Sequence, residues 1–429
     1  MRGVAPQPPA AAALLAALAL PLLPAPVGAE TPAWPQWGGP GRDFVAPAEP
    51  LAESWPEGGP EELWSRPLGD GYSAILFEAG RLYTMYRSGG DEVVVSLDAA
   101  TGETLWEHRY EQAPHPRHLP QYGDGPRATP LLAGDRLFTV GVAGRLLALD
   151  KRDGTPLWSR ELWGEEVGGR MVGSGYSSSP LAHEGLVIVP VGGEEIGVAA
   201  FDQEEGTLVW ASRGSPNSYS SPAIREIAGR RQLLSFMAEE LLALDPDTGA
   251  ELWSFRHGNQ WGHNIHMPAA VDDLLFLSSP QAGSRGLRLV PEGGGYRVEA
   301  LWSTRRVQLY HVSSVKEGEW IYGSTGVTAP AFLVAMNIRT GEIAWRERGL
   351  AKANCVAAGD RLVILDEHGI LYLATASPEG FEIHARAPLR DRPAGTGPPG
   401  GGPRLFARDL ERIRAFELGA RQPVPASAR

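Results

Sequence analysis

Short apolar runs alternate with tight turns along most of the chain after residue 60. The stretches EAGRLYTM, AGDRLFTV, HEGLVIVP, VDDLLFLS, KEGEWIYG and AGDRLVIL each place a turn before a run of mostly apolar residues. This pattern is typical of a hairpin that leads into a buried strand. No sustained helical periodicity follows residue 30, so the pattern predicts a chain built of β-strands.

A second pattern recurs five times in the same part of the chain. LDAATGETLW at Leu97–Trp106 returns as LDPDTGAELW at Leu244–Trp253, and ALDKRDGTPLW and AFDQEEGTLVW repeat its Asp, Gly and Trp. A looser copy, AMNIRTGEIAW, has Asn337 in place of the Asp. We interpret the segment as the turn between the last two strands of a four-stranded unit. The Asp accepts hydrogen bonds from the turn amides, and the Gly allows the positive φ of the hairpin. These glycines are Gly102, Gly154, Gly206, Gly249 and Gly341.

Tryptophans mark the end of the units. They are Trp64, Trp106, Trp158, Trp210, Trp253, Trp302 and Trp345. The intervals between them are 42, 52, 52, 43, 49 and 43 residues, about the length of one propeller blade. We predict a structural role for each indole, which packs between neighbouring units. Its burial there contributes about 4 kcal/mol to stability.

Counting the units predicts a closed ring. The six intervals give six blades, and a seventh runs from Ala351 to about Ala385. PRLFARDLERIRAFEL supplies middle strands without a last one, while ELWSRPL around Trp64 supplies a last strand without a blade. Pairing them removes the exposed sheet edges. The sequence therefore predicts an all-β, eight-bladed propeller of four-stranded blades, with seven blades as the alternative.

The N-terminus has the features of a secretory signal. Residues 1–29 contain one charge, Arg2, then an apolar run at Ala10–Leu23 and a small-residue cleavage site before Glu30. The apolar run is too short to span a membrane. We predict a signal peptide at 1–29, an N-terminal extension at 30–60, a propeller at 61–418 and a tail at 419–429. The protein is expected to be periplasmic or secreted after cleavage following Ala29.

Charge and cysteine content limit the classes of partner and covalent attachment that the sequence allows. The formal net charge is −12 and becomes −13 without Arg2, which disfavours nucleic acid and anionic membranes as partners. Cys355 is the single cysteine of the sequence, so no intrachain disulfide forms and no lipid-accepting cysteine lies at the cleavage site. We expect no membrane span.

The repeat resembles that of the quinoprotein-type propellers, which are named for pyrroloquinoline quinone (PQQ), over residues 60–418. WPQWGGPGRD at Trp34–Asp43 and WPEGGPEELW at Trp55–Trp64 are similar to the leader of exported members described as BamB-like. The resemblance implies a propeller fold. It implies less about function, because function resides in sites carried by a fold.

Two branches of this family imply different functions. The alcohol dehydrogenases hold PQQ and Ca²⁺ over the centre of the ring and use a disulfide between adjacent cysteines, carboxylate and amide metal ligands and a catalytic Asp. The second branch is the lipoprotein of the outer-membrane β-barrel assembly machine, a non-catalytic scaffold. One cysteine precludes the disulfide of the first branch, and the missing lipid-accepting cysteine precludes the anchor of the second. No catalytic residue is transferred to this chain.

Polar and aromatic residues lie at corresponding places where the first strand of each blade is predicted to start. First strands line the channel of a propeller, so these side chains are candidates for a ligand site at one mouth. The alternative is that they are ordinary residues at strand starts, where their side chains satisfy backbone groups. The candidates are Tyr72, Arg127, Tyr176, Tyr219, Asn264, His266, His311 and Asn354.

The histidines of HGNQWGHNIH, together with His311, are the one metal-like group in the sequence. They are His257, His263 and His266. Their spacing fits no known metal signature, so we predict no metal site and expect them to line a polar loop and the channel mouth.

These observations favour an exported, non-catalytic propeller that binds a protein or peptide partner, with envelope or outer-membrane assembly as its context. The alternative is a PQQ-dependent alcohol oxidoreductase. PQQ with Ca²⁺ is not favoured, because Ca²⁺ takes six to eight oxygen ligands and the predicted mouth offers no carboxylate.

Overall fold

The structure is a computed structural model that describes Met1, Gly3 and residues 33–48, 50–113, 123–326, 331–350, 352–389, 393–396 and 403–419. Side chains of residues 311–313 and 393–396 are not described. The predicted signal peptide lies outside this part of the chain, apart from Met1 and Gly3. Within the described residues no helix is long and apolar enough to cross a membrane.

Within the described residues thirty-three strands form eight sheets, and the prediction of an all-β, eight-bladed propeller is confirmed. The first two strands are β1 at Val45–Ala46 and β2 at Glu61–Pro67. The following strands build blades 1 to 7 in chain order, each from its inner strand outward.

The strands of blades 1 to 4 are β3–β6 (Leu76–Glu78, Arg81–Ser88, Asp91–Asp98, Thr104–Glu111), β7–β10 (Leu131–Ala133, Arg136–Val140, Arg145–Asp150, Pro156–Glu161), β11–β14 (Leu181–His183, Leu186–Pro190, Val198–Asp202, Leu208–Ala211) and β15–β18 (Ala223–Ile227, Arg230–Phe236, Glu240–Leu244, Glu251–Arg256). The strands of blades 5 to 7 are β19–β22 (Ala269–Val271, Leu274–Ser279, Gly283–Glu292, Gly295–Thr304), β23–β26 (Leu309–Glu317, Trp320–Thr325, Phe332–Asn337, Ile343–Arg348) and β27–β30 (Asn354–Ala358, Arg361–Leu365, Ile370–Ser377, Gly380–Pro388).

Blade 8 joins the two ends of the chain. It contains β31 (Pro393–Thr396), β32 (Arg404–Asp409) and β33 (Arg412–Glu417), with β2 as its outer strand. β2 pairs antiparallel with β33. The prediction that both termini share the last blade is therefore confirmed, and the seven-blade alternative is wrong.

The repeated turn forms the contact surface for the tryptophan of the preceding blade. In blade 3, Asp202 Oδ1 accepts the amides of Glu204 and Glu205 at 2.8 Å, and Gly206 has a φ of +67°. The indole of Trp158, from blade 2, lies over Gly206 and donates from Nε1 to the Gln203 carbonyl at 3.0 Å. The turn recurs because each copy must satisfy its own backbone and leave a flat surface for an indole.

The other tryptophans follow this geometry with two variations. A Cβ added to the facing glycine would lie no more than 2.6 Å from the ring at Trp64, Trp106, Trp210 and Trp302. Trp345 donates to the Ser377 carbonyl at 2.7 Å and packs on Phe381. Trp253 donates to the Gln232 side chain of its own blade at 2.6 Å, since the hairpin of blade 5 has a different sequence.

A β-bulge interrupts the outer strand of every blade just before the tryptophan or its equivalent. A bulge bends an edge strand and makes it a poorer template for pairing with another chain. The bulged residues are Leu63, Leu105, Leu157, Val209, Leu252, Leu301, Ala344 and His384.

An N-terminal stretch, residues 33–48, crosses the inner strands of the ring; we call it the crossing segment. Trp34 forms a bridge with Phe77 of blade 1, and β1 pairs in parallel with β27, so blade 7 carries a fifth strand. Arg42 donates to the carbonyls of Ser179 and Pro180 at 3.1 and 2.7 Å. The segment thus links blades that are far apart in the ring.

The crossing segment contacts both inner strands and a loop that leads into one of them. Its backbone meets Phe77 and Leu132 in the middle of three-residue inner strands and Ala358 at the end of β27. The Arg42 side chain bonds to Ser179 and Pro180, which lie in the loop that leads into β11.

Candidate functional site

The mouth of the channel is the face where each outer strand connects to the inner strand of the next blade. The connections at residues 162–180, 212–222 and 257–268 lie side by side there, since blades 2 to 5 are neighbours. Loops held by a rigid scaffold are common positions for binding residues.

A chain of contacts joins these connections. Arg127 Nη1 donates to the Ser174 carbonyl, and the Ser174 amide donates to the Tyr219 hydroxyl at 3.0 Å. The Tyr219 ring meets the His263 ring edge-on, with centroids 5.0 Å apart. Residues from four successive connections therefore hold one another in place.

An aromatic group continues this chain toward blade 6. His263 Nδ1 lies 3.1 Å from the Tyr310 hydroxyl, and the Trp261 ring lies 6.3 Å from His263 and 6.5 Å from Tyr310. Trp261 is 48% exposed although it belongs to this packed group. We call Arg127, Tyr219, Trp261, His263 and Tyr310 the mouth cluster.

The electrostatics of the mouth cluster depend on partial burial. Burial lowers the pKa of Arg127, while nearby Asp70 and Asp124 oppose that shift. The Asp70 carboxylate is itself held by the Asp124 amide at 2.8 Å. Burial also lowers the pKa of His263, so its ring is neutral at pH 7. The cluster offers one cation, two phenols, an indole and a neutral imidazole, which suits hydrogen bonding and stacking.

Of the candidates predicted from sequence, the structure brings Arg127, Tyr72 and Tyr219 together. The phenols of Tyr72 and Tyr219 both lie near the Arg127 guanidinium. Tyr72 is half-buried, and its amide donates to the Pro126 carbonyl at 2.8 Å.

Two other candidates lie inside the blades. Tyr176 is fully buried and its hydroxyl donates to the Pro190 carbonyl at 2.9 Å. Asn264 is fully buried; its Nδ2 donates to the Met237 carbonyl and its Oδ1 accepts from Ser279, both at 2.6 Å. Since these contacts use their polar atoms, we propose no ligand role for either residue.

The remaining candidates are separate from the mouth cluster. His266 is buried, with Nε2 2.7 Å from Ser314 Oγ, and lines a pocket beside the crossing segment. Asn354 is half-buried at the start of β27. The side chain of His311 is outside the described residues.

The histidines of HGNQWGHNIH have separate partners. His257 Nε2 contacts the Gly283 carbonyl at 3.1 Å, whereas His263 and His266 contact Tyr310 and Ser314. In the part of the chain that the structure describes, no three His, Cys, Asp or Glu side chains are grouped to hold a metal ion.

Sequence reasoning did not select Trp261, Tyr310 or Ser174. Trp261 and Tyr310 lie within stretches already noted for their histidines, so an aromatic residue in an inner strand or in the loop before it was the available signal. Ser174 contributes through its main chain, which leaves no trace in the sequence.

Comparison with known proteins identifies the family. Residues 90–347, more than half of the chain, match the family model described as outer membrane protein assembly factor BamB. Within the sequence relatives, the outer membrane protein assembly factor BamB of Shewanella oneidensis is 22% identical over 78% of this chain and 72% of its own length.

A second kind of relative is a redox enzyme. Quinohemoprotein alcohol dehydrogenase ADH IIB of Pseudomonas putida is 28% identical over 48% of this chain. The match spans 30% of that relative's length. Of solved structures, BamB from Moraxella catarrhalis superposes with a TM-score of 0.59 and 19% identity, covering 84% of this chain and 98% of that one. This likeness shows the shared fold.

Proposed function

This chain belongs to the family of the outer membrane protein assembly factor BamB, and on that premise we propose that it is an exported scaffold which binds a protein or peptide partner at its channel mouth. The observation that carries the proposal is the mouth cluster, where an indole remains half exposed within a group of packed aromatic rings. Tryptophan, tyrosine and arginine dominate the energetically important positions of protein interfaces.

The composition of the mouth cluster suits a peptide. Trp261 supplies exposed apolar area, and the internal contacts of Tyr219, Tyr310 and Arg127 hold the group around it in place. The rings are preorganised by the contacts at 5.0, 6.3 and 6.5 Å, so little side-chain entropy is lost on binding.

Capture from envelope extract tests the proposal. We expect the mature wild-type protein to capture an outer-membrane assembly protein from the extract, which is then identified. Trp261→Ala should weaken this binding by at least about tenfold, the effect of losing an interface hot spot. Leu105→Ala is the control, because Leu105 is similarly exposed, at 45%, but lies on the outer strand of blade 1. Equal retention by both variants would contradict a partner site at the mouth.

Export is the second part of the proposal. The signal-like residues 1–29 support it, and we propose a periplasmic or secreted protein that begins at Glu30 and carries no lipid. N-terminal sequencing and intact mass of the purified protein test this. Retention of residues 1–29 or an acyl mass increment would overturn it.

A PQQ-dependent oxidoreductase is the second candidate, and the quinohemoprotein relative together with Arg127 favours it. The guanidinium could pair with the carboxylates of a quinone. The described carboxylates near it are those of Asp70 and Asp124, two side chains against the six to eight oxygen ligands that Ca²⁺ takes. We therefore derive no redox step.

Calorimetric titration of PQQ with Ca²⁺, followed by a dye-linked alcohol assay, separates the two candidates. We expect no saturable binding and no turnover. Micromolar binding with turnover that is abolished by Arg127→Ala would make the oxidoreductase the better account.

A further inference from the structure

A pocket of about 240 Å³ lies between the crossing segment and the inner strands of blades 4 to 6, and no residue of the mouth cluster lines it. Trp37 and Arg42 line it from the segment, and Arg225, His266 and Lys316 line it from the blades. An apolar cavity of about 150 Å³ holds benzene, so this volume suits a small organic molecule.

Arginines in this pocket have no carboxylate partner among the described residues. Arg42 is 2% exposed and donates to main-chain carbonyls of Ser179 and Pro180. Arg225 donates to the carbonyls of Gly41 and Arg42 at 3.0 and 2.6 Å. Buried charges in proteins are normally paired with an opposite charge. The buried Arg42 guanidinium lacks such an anionic partner.

The two arginines also repel each other. Burial, and then the charge of Arg225, lower the pKa of Arg42 to about 9. Asp43 and Glu226 also border the pocket. The Asp43 charge favours the charged form of Arg225 without forming an ion pair with it, and Glu226 is exposed, so the lining holds two carboxylates. Lys316 adds a third positive charge, so an added anion would be stabilised by the pocket.

Two buried polar atoms at the pocket have no hydrogen-bond partner. They are Arg42 Nε and His266 Nδ1. Burial lowers the pKa of His266 to about 3, so the ring is neutral. Its Nε2 contacts Ser314 Oγ, and if Nε2 accepts that hydroxyl proton, Nδ1 carries the ring hydrogen and is a donor. Unsatisfied buried donors indicate a missing acceptor.

The other walls are apolar. Trp37, Phe44, Ile265 and Met267 border the same space. A ligand that fits must combine a negative group with an apolar body. We propose that this pocket binds a small organic carboxylate, whose carboxylate lies among Arg42, Arg225 and Lys316 and whose apolar part packs on Trp37 and Met267.

Titration with benzoate tests the proposal, with benzamide as the neutral molecule of the same shape and chloride as the control for ionic strength. Benzoate should bind saturably at one site and raise the melting temperature of the full-length mature protein, because a ligand of the native state stabilises it. Benzamide should bind at least about tenfold more weakly, the loss expected for a charge-assisted hydrogen bond.

Variants locate the site. Lys316→Gln and Arg225→Gln should each weaken benzoate binding by about tenfold. Arg256→Gln is the matched control, since the Arg256 side chain is 84% exposed and pairs with Glu239 elsewhere. If Arg225→Gln does not fold, Lys316→Gln decides alone. No benzoate-dependent shift, equal binding of benzamide, or unchanged binding by Lys316→Gln would overturn the proposal.

Discussion

Replacing Gly206 with alanine tests why the turn is repeated. Gly206 has a φ of +67°, and a Cβ at this position would lie 2.5 Å from the Trp158 ring of the preceding blade. The substitution therefore adds two costs, one from the backbone conformation and one from the contact with the indole.

The two costs can be estimated separately. A residue with a side chain loses roughly 1–2 kcal/mol in the left-handed region. Overpacking a closely packed interface costs typically about 1–3 kcal/mol. We expect Gly206→Ala to lower the free energy of unfolding by about 2–5 kcal/mol, the sum of the two.

Gly185→Ala is the matched control in the same blade. Gly185 has a φ of +80°, and nothing lies within 4 Å of its added Cβ. Gly185→Ala should lower the free energy of unfolding only by the cost of the backbone conformation, roughly 1–2 kcal/mol. Guanidinium unfolding followed by circular dichroism gives both values without relying on tryptophan fluorescence.

A double-mutant cycle completes the test. Trp158→Ala alone should cost about 3–5 kcal/mol, because it empties the space between two blades and removes the hydrogen bond to the Gln203 carbonyl. In that background Gly206→Ala should cost no more than Gly185→Ala. Strict additivity of Trp158→Ala and Gly206→Ala, or equal costs of the two glycine substitutions in the wild type, would refute the reasoning.

Trp253→Ala should also destabilise by about 3–5 kcal/mol, since Trp253 is 6% exposed and bonds to buried Gln232; an unchanged denaturation midpoint would contradict its buried role. Burial lowers the pKa of His257 to about 4 and of His266 to about 3, so the unfolded chain binds more protons below pH 6.5. Stability should fall as the pH is lowered from 6.5, by up to about 1.4 kcal/mol per pH unit for each histidine, and His266→Gln should reduce this slope. Burial raises the pKa of Cys355 to about 12, so a thiol reagent should label it only at the rate of unfolding; fast labelling of the native protein would show that β27 opens locally.

Repetition made the ring predictable from sequence. Each copy of the turn carries its Asp, Gly and Trp at fixed offsets, and these local features set the blade boundaries. The bulges at Leu63, Leu105 and their equivalents were not predicted, because a bulge changes the pairing of two strands without requiring a particular residue.

The candidate site was predicted only in part. Arg127 and Tyr219 reach the mouth, but Tyr176 and Asn264 point into the blades. Successive residues of an extended chain face opposite ways, so an uncertainty of one position exchanges a channel residue for a core residue. Strand-start position alone could not settle this choice.

The crossing segment makes contacts that no sequence pattern predicts. Arg42 bonds to Pro180, 138 positions away, and Arg225 bonds back to the Arg42 carbonyl, 183 positions away. These contacts use main-chain carbonyls, which every residue has. The pocket between the segment and the blades therefore became apparent only in the folded ring.

The most direct test of the scaffold account is site-specific photocrosslinking in living cells with a photoreactive phenylalanine at position 261. The account predicts a crosslink to an outer-membrane assembly protein from this position and none from position 105 on the outer strand of blade 1. Crosslinks of equal strength from both positions, or none from position 261 while position 105 reacts, would contradict a partner site at the channel mouth.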